Sequence, residues 1–223
     1  MYVLYGGPFT RALMVEMVMA EGEIAYELRT VNILEDAHHA PAYLAINPAG
    51  WVPALVTPEG ETLTETPAIN LYLAERHRLS HLAPRIDEPE RGRFLSGLFF
   101  LTNDLEPWLK RAFYPRRFAL REDDAAAVEQ HAIAGVLDRF QVIDRRLDDR
   151  GPYHLGERFS LVDLTMAYWA VCLEPSGGLA PYAAVRRCMA LVMDRPKLRA
   201  KFDELEAGRD DYARRSARGA GIR

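Results

Sequence analysis

Asn47-Pro48-Ala49-Gly50-Trp51-Val52-Pro53-Ala54-Leu55-Val56, continued by Thr57-Pro58-Glu59-Gly60 and by Glu61 to Leu73, is the stretch whose reading decides the rest. Asn47-Pro48 and Ala49-Gly50 punctuate a turn. Val52 to Val56 reads as a short apolar strand opened by Pro53, since proline cannot donate to a sheet ladder. Thr57-Pro58-Glu59-Gly60 is turn chemistry, with proline presetting φ and glycine taking a positive one, so Glu61 to Thr64 returns as a hairpin partner. Thr66 then caps a helix, with Pro67 at the first helical position where it forfeits no hydrogen bond.

Such an arrangement offers a ligand three features. The helix N-terminus and the Thr66 hydroxyl suit a carboxylate or phosphate. Glu65 is placed to pair with an ammonium. Val52-Pro53 is a place for a cis peptide that exposes the N–H and C=O of Val52. A ligand with an amino-acid end and a peptide backbone, such as glutathione, matches all three.

The stretch closely resembles the N-terminal domain of glutathione transferases, in which Asn-Pro-x-Gly-x-Val-Pro-x-Leu precedes Glu-Ser/Thr-x-Ala-Ile. Here these blocks stand as Asn47 to Leu55 and as Glu65-Thr66-Pro67-Ala68-Ile69. The resemblance implies an α/β thioredoxin-like N-terminal domain followed by an all-α helical bundle, with glutathione as co-substrate and no metal.

Working outward, Tyr2 to Tyr5 reads as a strand, Thr10 as the cap of a helix to about Glu21, and Tyr26 to Val31 as a second strand. Strand, helix and strand at this spacing make a βαβ unit with parallel strands. Residues 79–89 lose periodicity and carry two prolines, so they read as a linker between a domain at 1–78 and an all-α domain at 90–207. Within the latter, Glu90 to Lys110 carries a broad apolar stripe with a kink expected at Pro107, and Asp123 to Asp148 continues the pattern. Ser160-Leu161-Val162-Asp163 has the form of a capping box ahead of Leu161 to Leu173, which is apolar nearly all round and therefore the buried centre. Two further helices are expected at Pro181 to Met193 and Pro196 to Leu205. Residues 208–223 lack apolar periodicity and read as a solvated tail.

The 223 residues are 49% apolar and 27% charged, which places the chain among soluble globular proteins. A net charge of −4 argues against a nucleic-acid partner. No segment approaches the roughly 20 apolar residues of a membrane span, so none is expected to enter a membrane. No leader pattern opens the chain. The two cysteines, Cys172 and Cys188, lie in apolar helical patterns and imply a reducing, cytoplasmic setting.

The resemblance assigns the glutathione site to Trp51, Val52, Pro53, Glu65 and Thr66, with His38 or His39 reaching the glycyl end; His39 is the residue chosen. Chemistry in the family rests on a hydroxyl or thiol after the first strand that favours the glutathione thiolate. Gly7 occupies the position of the Ser or Cys in one family pattern and has no side chain. In a second pattern, Pro-x-Ser-Arg, Pro8-Phe9-Thr10-Arg11 substitutes Thr for Ser, making Thr10 the candidate and Tyr5 the runner-up. A pure capping role for Thr10 remains the alternative. A second-substrate pocket is expected from Phe9, Trp108, Arg111, Tyr114 and Trp169. His77 and His81, four residues apart, lack a third ligand, so no metal site is expected. The resulting expectation is a homodimeric transferase that adds glutathione to a hydrophobic electrophile. A glutathione- or ligand-binding protein without catalysis, and a glutathione-dependent peroxide or disulfide reductase, are the alternatives.

Overall fold

Tyr2, Leu4 and Gly6 are buried while Val3 and Tyr5 are half-buried, the period of two that a strand with one covered face imposes (β1, Tyr2–Gly6). The computed structural model describes residues 1–8 and 10–217, with Pro175 and 212–217 described by backbone alone. Helix α1 (Ala12–Gly22) crosses from β1 to β2 (Tyr26–Thr30), which pairs parallel to β1 from Tyr2↔Tyr26 to Gly6↔Thr30. After the short α2 (Pro41–Leu44) come β3 (Ala54–Val56), β4 (Thr62–Leu63) and α3 (Thr66–Arg76). The sheet order is β2-β1-β3-β4, with β3 antiparallel to both neighbours. The tight turn closes as read: Gly60 N–H donates to Thr57 O (2.9 Å) and Thr57 N–H to Glu61 O (2.8 Å), with Gly60 at φ +90°. This is the thioredoxin-like α/β arrangement, followed by a helical region.

Both N-terminal helices start differently from their sequence reading. Arg11, not Thr10, occupies the cap position of α1, although the Thr10 hydroxyl still accepts from Ala12 N–H (3.3 Å). Glu65, not Thr66, precedes α3, and Pro67 falls among the first amides, which have no intrahelical acceptor in any case.

The helical region holds α4 (Arg91–Phe99), α5 (Glu106–Phe113), α6 (Ala125–Arg150), α7 (Leu161–Leu173) and α8 (Ala183–Met193). The expected single helix from Glu90 to Lys110 is interrupted at Phe100–Leu105 by a π-helical segment, ahead of Pro107 rather than at it. Proline has no N–H for the carbonyl four residues back, and a change of helical register just before it removes the need for that bond. Leu161 to Val171 are all buried, as expected for the centre of the unit.

The chain divides into two compact units, Met1–Ser80 together with the segment that begins at Met193, and His81–Val192. This differs from the sequence division in three places. The stretch expected as a linker packs on the second unit: Leu82 and Ala83 are buried, Leu82 O accepts from Leu161 N–H (2.8 Å), and Glu88 and Glu90 pair with Arg158. Residues beyond Met193, assigned to the helical domain, instead join the first unit. Arg195 grips Glu21 (2.7 Å) and Lys201 grips Glu16 (2.7 Å), so two nearly buried carboxylates of α1 find their counter-charges there. Helix α9 (Arg199–Ala217) also runs on past Gly208, where apolar periodicity stops, because Arg and Ala favour helix without needing a buried stripe. The last part of the expected tail, 218–223, lies outside the described residues.

Neither Cys172 nor Cys188 takes part in a disulfide. Among the described residues no helix is long and apolar enough to cross a membrane.

Candidate functional site

Asn47 organises the turn that leads into β3. Its Oδ1 accepts from Ala49 N–H (3.2 Å), its Nδ2 donates to Trp51 O (2.7 Å), and its own carbonyl accepts from Gly50 N–H (2.9 Å). The Tyr43 hydroxyl donates to the same Trp51 carbonyl (2.6 Å), and burial pushes this phenol up to about 12, so it remains a donor at neutral pH. Gly50 takes φ +67°, and an added Cβ there would come within 3.1 Å of the His39 ring. With the Trp51 carbonyl held by two donors, the trans peptide turns the Val52 N–H the opposite way. Val52 N–H and C=O have no hydrogen-bonding partner among the described residues, and the Val52–Pro53 bond is cis.

Across from this backbone, the chain enters α3 through Glu65 at φ 65°, ψ 108°, a left-handed conformation that costs a side-chain-bearing residue roughly 1–3 kcal/mol. Such strain collects at ligand sites. Thr66 is 2% exposed, and its Oγ1 is buried without a hydrogen-bonding partner among the described residues. A buried hydroxyl with no partner is uncommon, and at the positive end of a helix it is a ready donor to an anion.

These pieces form a solvent-open cleft lined by Trp51, Val52, Pro53, Glu65 and Thr66, with Arg11, Asn47, Ala49 and Thr64. Five of the six residues expected to bind glutathione are thus brought together. His39 does not line the cleft; its Nδ1 lies 2.8 Å from Asp36 Oδ1, behind Gly50. Arg11 is the residue the sequence reading left out. It adds a positive charge to the cleft that Glu65 also lines, and the signal for it was the Arg of the Pro-x-Ser-Arg pattern.

Thr10 and Tyr5 sit in different settings. Thr10 is buried at the start of α1, where its hydroxyl donates to Gly7 O (2.7 Å). Tyr5, on β1, accepts from Arg29 Nη1 (3.0 Å) and packs against Tyr43 (ring centroids 6.0 Å apart). Of the second-substrate set, Phe9 lies outside the described residues. Trp108 rests on Gly135 of α6, flanked by Arg139 (5.0 Å) and Arg111 (5.8 Å) and edged by His131. Trp169 stacks with Phe113 (6.3 Å), and its Nε1 is buried without a partner; Tyr114 carries the Arg117 guanidinium over its ring (4.8 Å). His77, weighed as a metal ligand, is bonded to the Tyr2 hydroxyl (3.0 Å).

Comparison with known proteins adds four findings. The family model described as glutathione S-transferase, N-terminal domain, matches residues 10–76. A maleylacetoacetate isomerase of Pseudomonas aeruginosa is 30% identical over 193 residues, 85% of this chain and 90% of that protein. Glutathione S-transferase 3 of Zea mays is 32% identical over 181 residues, 74% of each chain. Among solved structures, a glutathione transferase homolog from Sulfitobacter with bound glutathione superposes with a TM-score of 0.80 at 26% identity, covering 92% of this chain and 98% of that one.

Proposed function

The chain belongs to the glutathione transferase family, and from that premise we propose that its cleft binds glutathione and that it transfers the glutathione thiolate to a hydrophobic electrophile. The observation that carries the binding reading is the buried, unpartnered Thr66 hydroxyl at the α3 N-terminus. Arg11 and Thr66 suit the α-carboxylate of a γ-glutamyl group, Glu65 suits its ammonium, and the Val52 backbone suits the cysteinyl peptide. Glutathione is the only co-substrate this reading needs.

For the chemistry we keep Thr10 as the group that favours the thiolate, with Tyr5 as its rival. The Thr10 proton is engaged with Gly7 O, so serving a sulfur means exchanging one acceptor for another. That exchange nets little, about 0.5–1.5 kcal/mol. Thr10→Val is therefore expected to lower the rate with an electrophilic aryl halide by about three- to tenfold, raising the bound thiol's pKa while leaving glutathione affinity within a few-fold. Thiolate absorbance titration of the wild type, Thr10→Val and Tyr5→Phe is the measurement. A change confined to Tyr5→Phe transfers the role to Tyr5, and a wild-type thiol that titrates as free glutathione does would leave a binder without transferase chemistry.

The same reading makes the protein a homodimer. Leu73 of α3 is fully buried in its own unit, whereas Phe99 of α4 is 53% exposed and offers apolar surface. Sedimentation at micromolar concentration should give twice the chain mass; a single-chain mass would overturn the dimer.

A further inference from the structure

We infer that Asp36, His38 and His39 form a site for a borderline divalent transition-metal ion of the Zn²⁺ class, a function no part of the transferase reading requires. His77 and His81, the pair spaced like ligands on one helix face, take no part in it. The loop is built from hydrogen-bonded turns. Asn32 Oδ1 accepts from Leu34 N–H (3.1 Å), Asp36 N–H donates to Ile33 O (3.3 Å), and Ala37 N–H to Asn32 O (3.1 Å). His39 N–H donates to Asp36 O (3.0 Å), closing the second turn. Asp36 itself takes φ 60°, and its carboxylate lies against both imidazoles.

Each of the three side chains offers one ligand atom, and the three atoms lie within 4.8 Å of one another. Asp36 Oδ1 is 2.8 Å from His39 Nδ1 and 3.8 Å from His38 Nε2. Ligands about 2.0–2.1 Å from a tetrahedral ion stand roughly 3.3 Å apart, so these two distances bracket the value a bound ion needs. Closure on an ion asks for side-chain rotation and for the ion to replace the hydrogen bond between His39 Nδ1 and Asp36 Oδ1, releasing its proton to solvent. His39 and Asp36 are exposed enough to rotate (58% and 73%), while His38 is mostly buried (12%) and anchors the set. Two imidazoles and one carboxylate select Zn²⁺, Co²⁺, Ni²⁺ or Cu²⁺ over Mg²⁺ or Ca²⁺, which demand oxygen ligands. Three protein ligands leave at least one position for water.

Cobalt titration of the purified full chain, followed in the visible range, tests this. One equivalent of Co²⁺ should bind with the intense bands of a low-coordinate site, and Zn²⁺ should displace it. Asp36→Asn and His39→Gln should each weaken Co²⁺ at least tenfold, while His81→Gln leaves it unchanged. Asn tolerates the left-handed conformation at position 36, and metal-free melting curves that superimpose on the wild type show that each variant is folded. Zn²⁺ should raise the melting temperature of the wild type and not of His39→Gln. No binding at millimolar Co²⁺, or binding that survives both Asp36→Asn and His39→Gln, would overturn the site.

Discussion

Asp163→Ala is expected to cost about 4 kcal/mol of stability, read as a large fall in the urea midpoint. Asp163 is 1% exposed at the start of α7. Its carboxylate accepts from His154 N–H (2.6 Å), Ser160 N–H (2.8 Å) and the Ser160 hydroxyl (2.8 Å), while the Ser160 oxygen accepts from Val162 N–H. Alanine leaves three donors unmet, two of them buried and the His154 N–H partly so, each buried one worth roughly 1–3 kcal/mol, against a total stability of about 5–15 kcal/mol for a typical domain. A loss below about 1 kcal/mol would mean that water or a relaxed loop takes over these donors.

The same residue predicts a pH dependence. Burial raises the Asp163 carboxyl to about 6, against the pull of the His154 and Ser160 donors that favour its charged form. In the unfolded chain an aspartate titrates near 3.9, so the native state binds the extra proton between about pH 4 and 6. A raised native pKa gives stability that is present below about pH 4 and lost as pH rises through 6. Asp163→Asn cannot titrate. The stability difference between wild type and this variant should therefore shrink by about 2–3 kcal/mol from pH 4 to pH 7. A pH-independent difference would show that the donors win and the carboxylate is charged throughout.

Thr66→Ala is expected to separate affinity from stability. Its hydroxyl has no partner among the described residues, so its removal should leave folding unchanged or slightly improved, by under about 1 kcal/mol. Glutathione affinity should fall by about 1.5–3 kcal/mol, roughly 10- to 150-fold, because a donor to a charged group is lost at a helix N-terminus. Thr66→Ser keeps the hydroxyl and should restore most of the binding. Unchanged calorimetric affinity in Thr66→Ala would remove this residue from the site, and a destabilised Thr66→Ala with normal affinity would reduce it to a helix-starting role.

Much of the fold was legible because it depends on residues close together in the chain. The turn at Asn47 to Gly50, the hairpin around Gly60, the helix announced by Pro67 and the capping box of Ser160 and Asp163 are short-range, and each needs particular residue types at fixed offsets. The apolar run from Leu161 to Leu173 marked the buried helix by composition alone. What the sequence left open required distant segments to meet. The meeting of Arg11 and Glu65 in one cleft, the docking of Arg195 and Lys201 on α1, and the burial of Leu82 under the start of α7 follow from packing, which no local pattern encodes. Even neighbours could escape a sequence reading when one rotamer or one φ decided the outcome. The Thr10 hydroxyl is turned onto Gly7, and Asp36 is turned onto its two histidines, because the surrounding backbone, rather than the residue types, sets where those side chains find their partners.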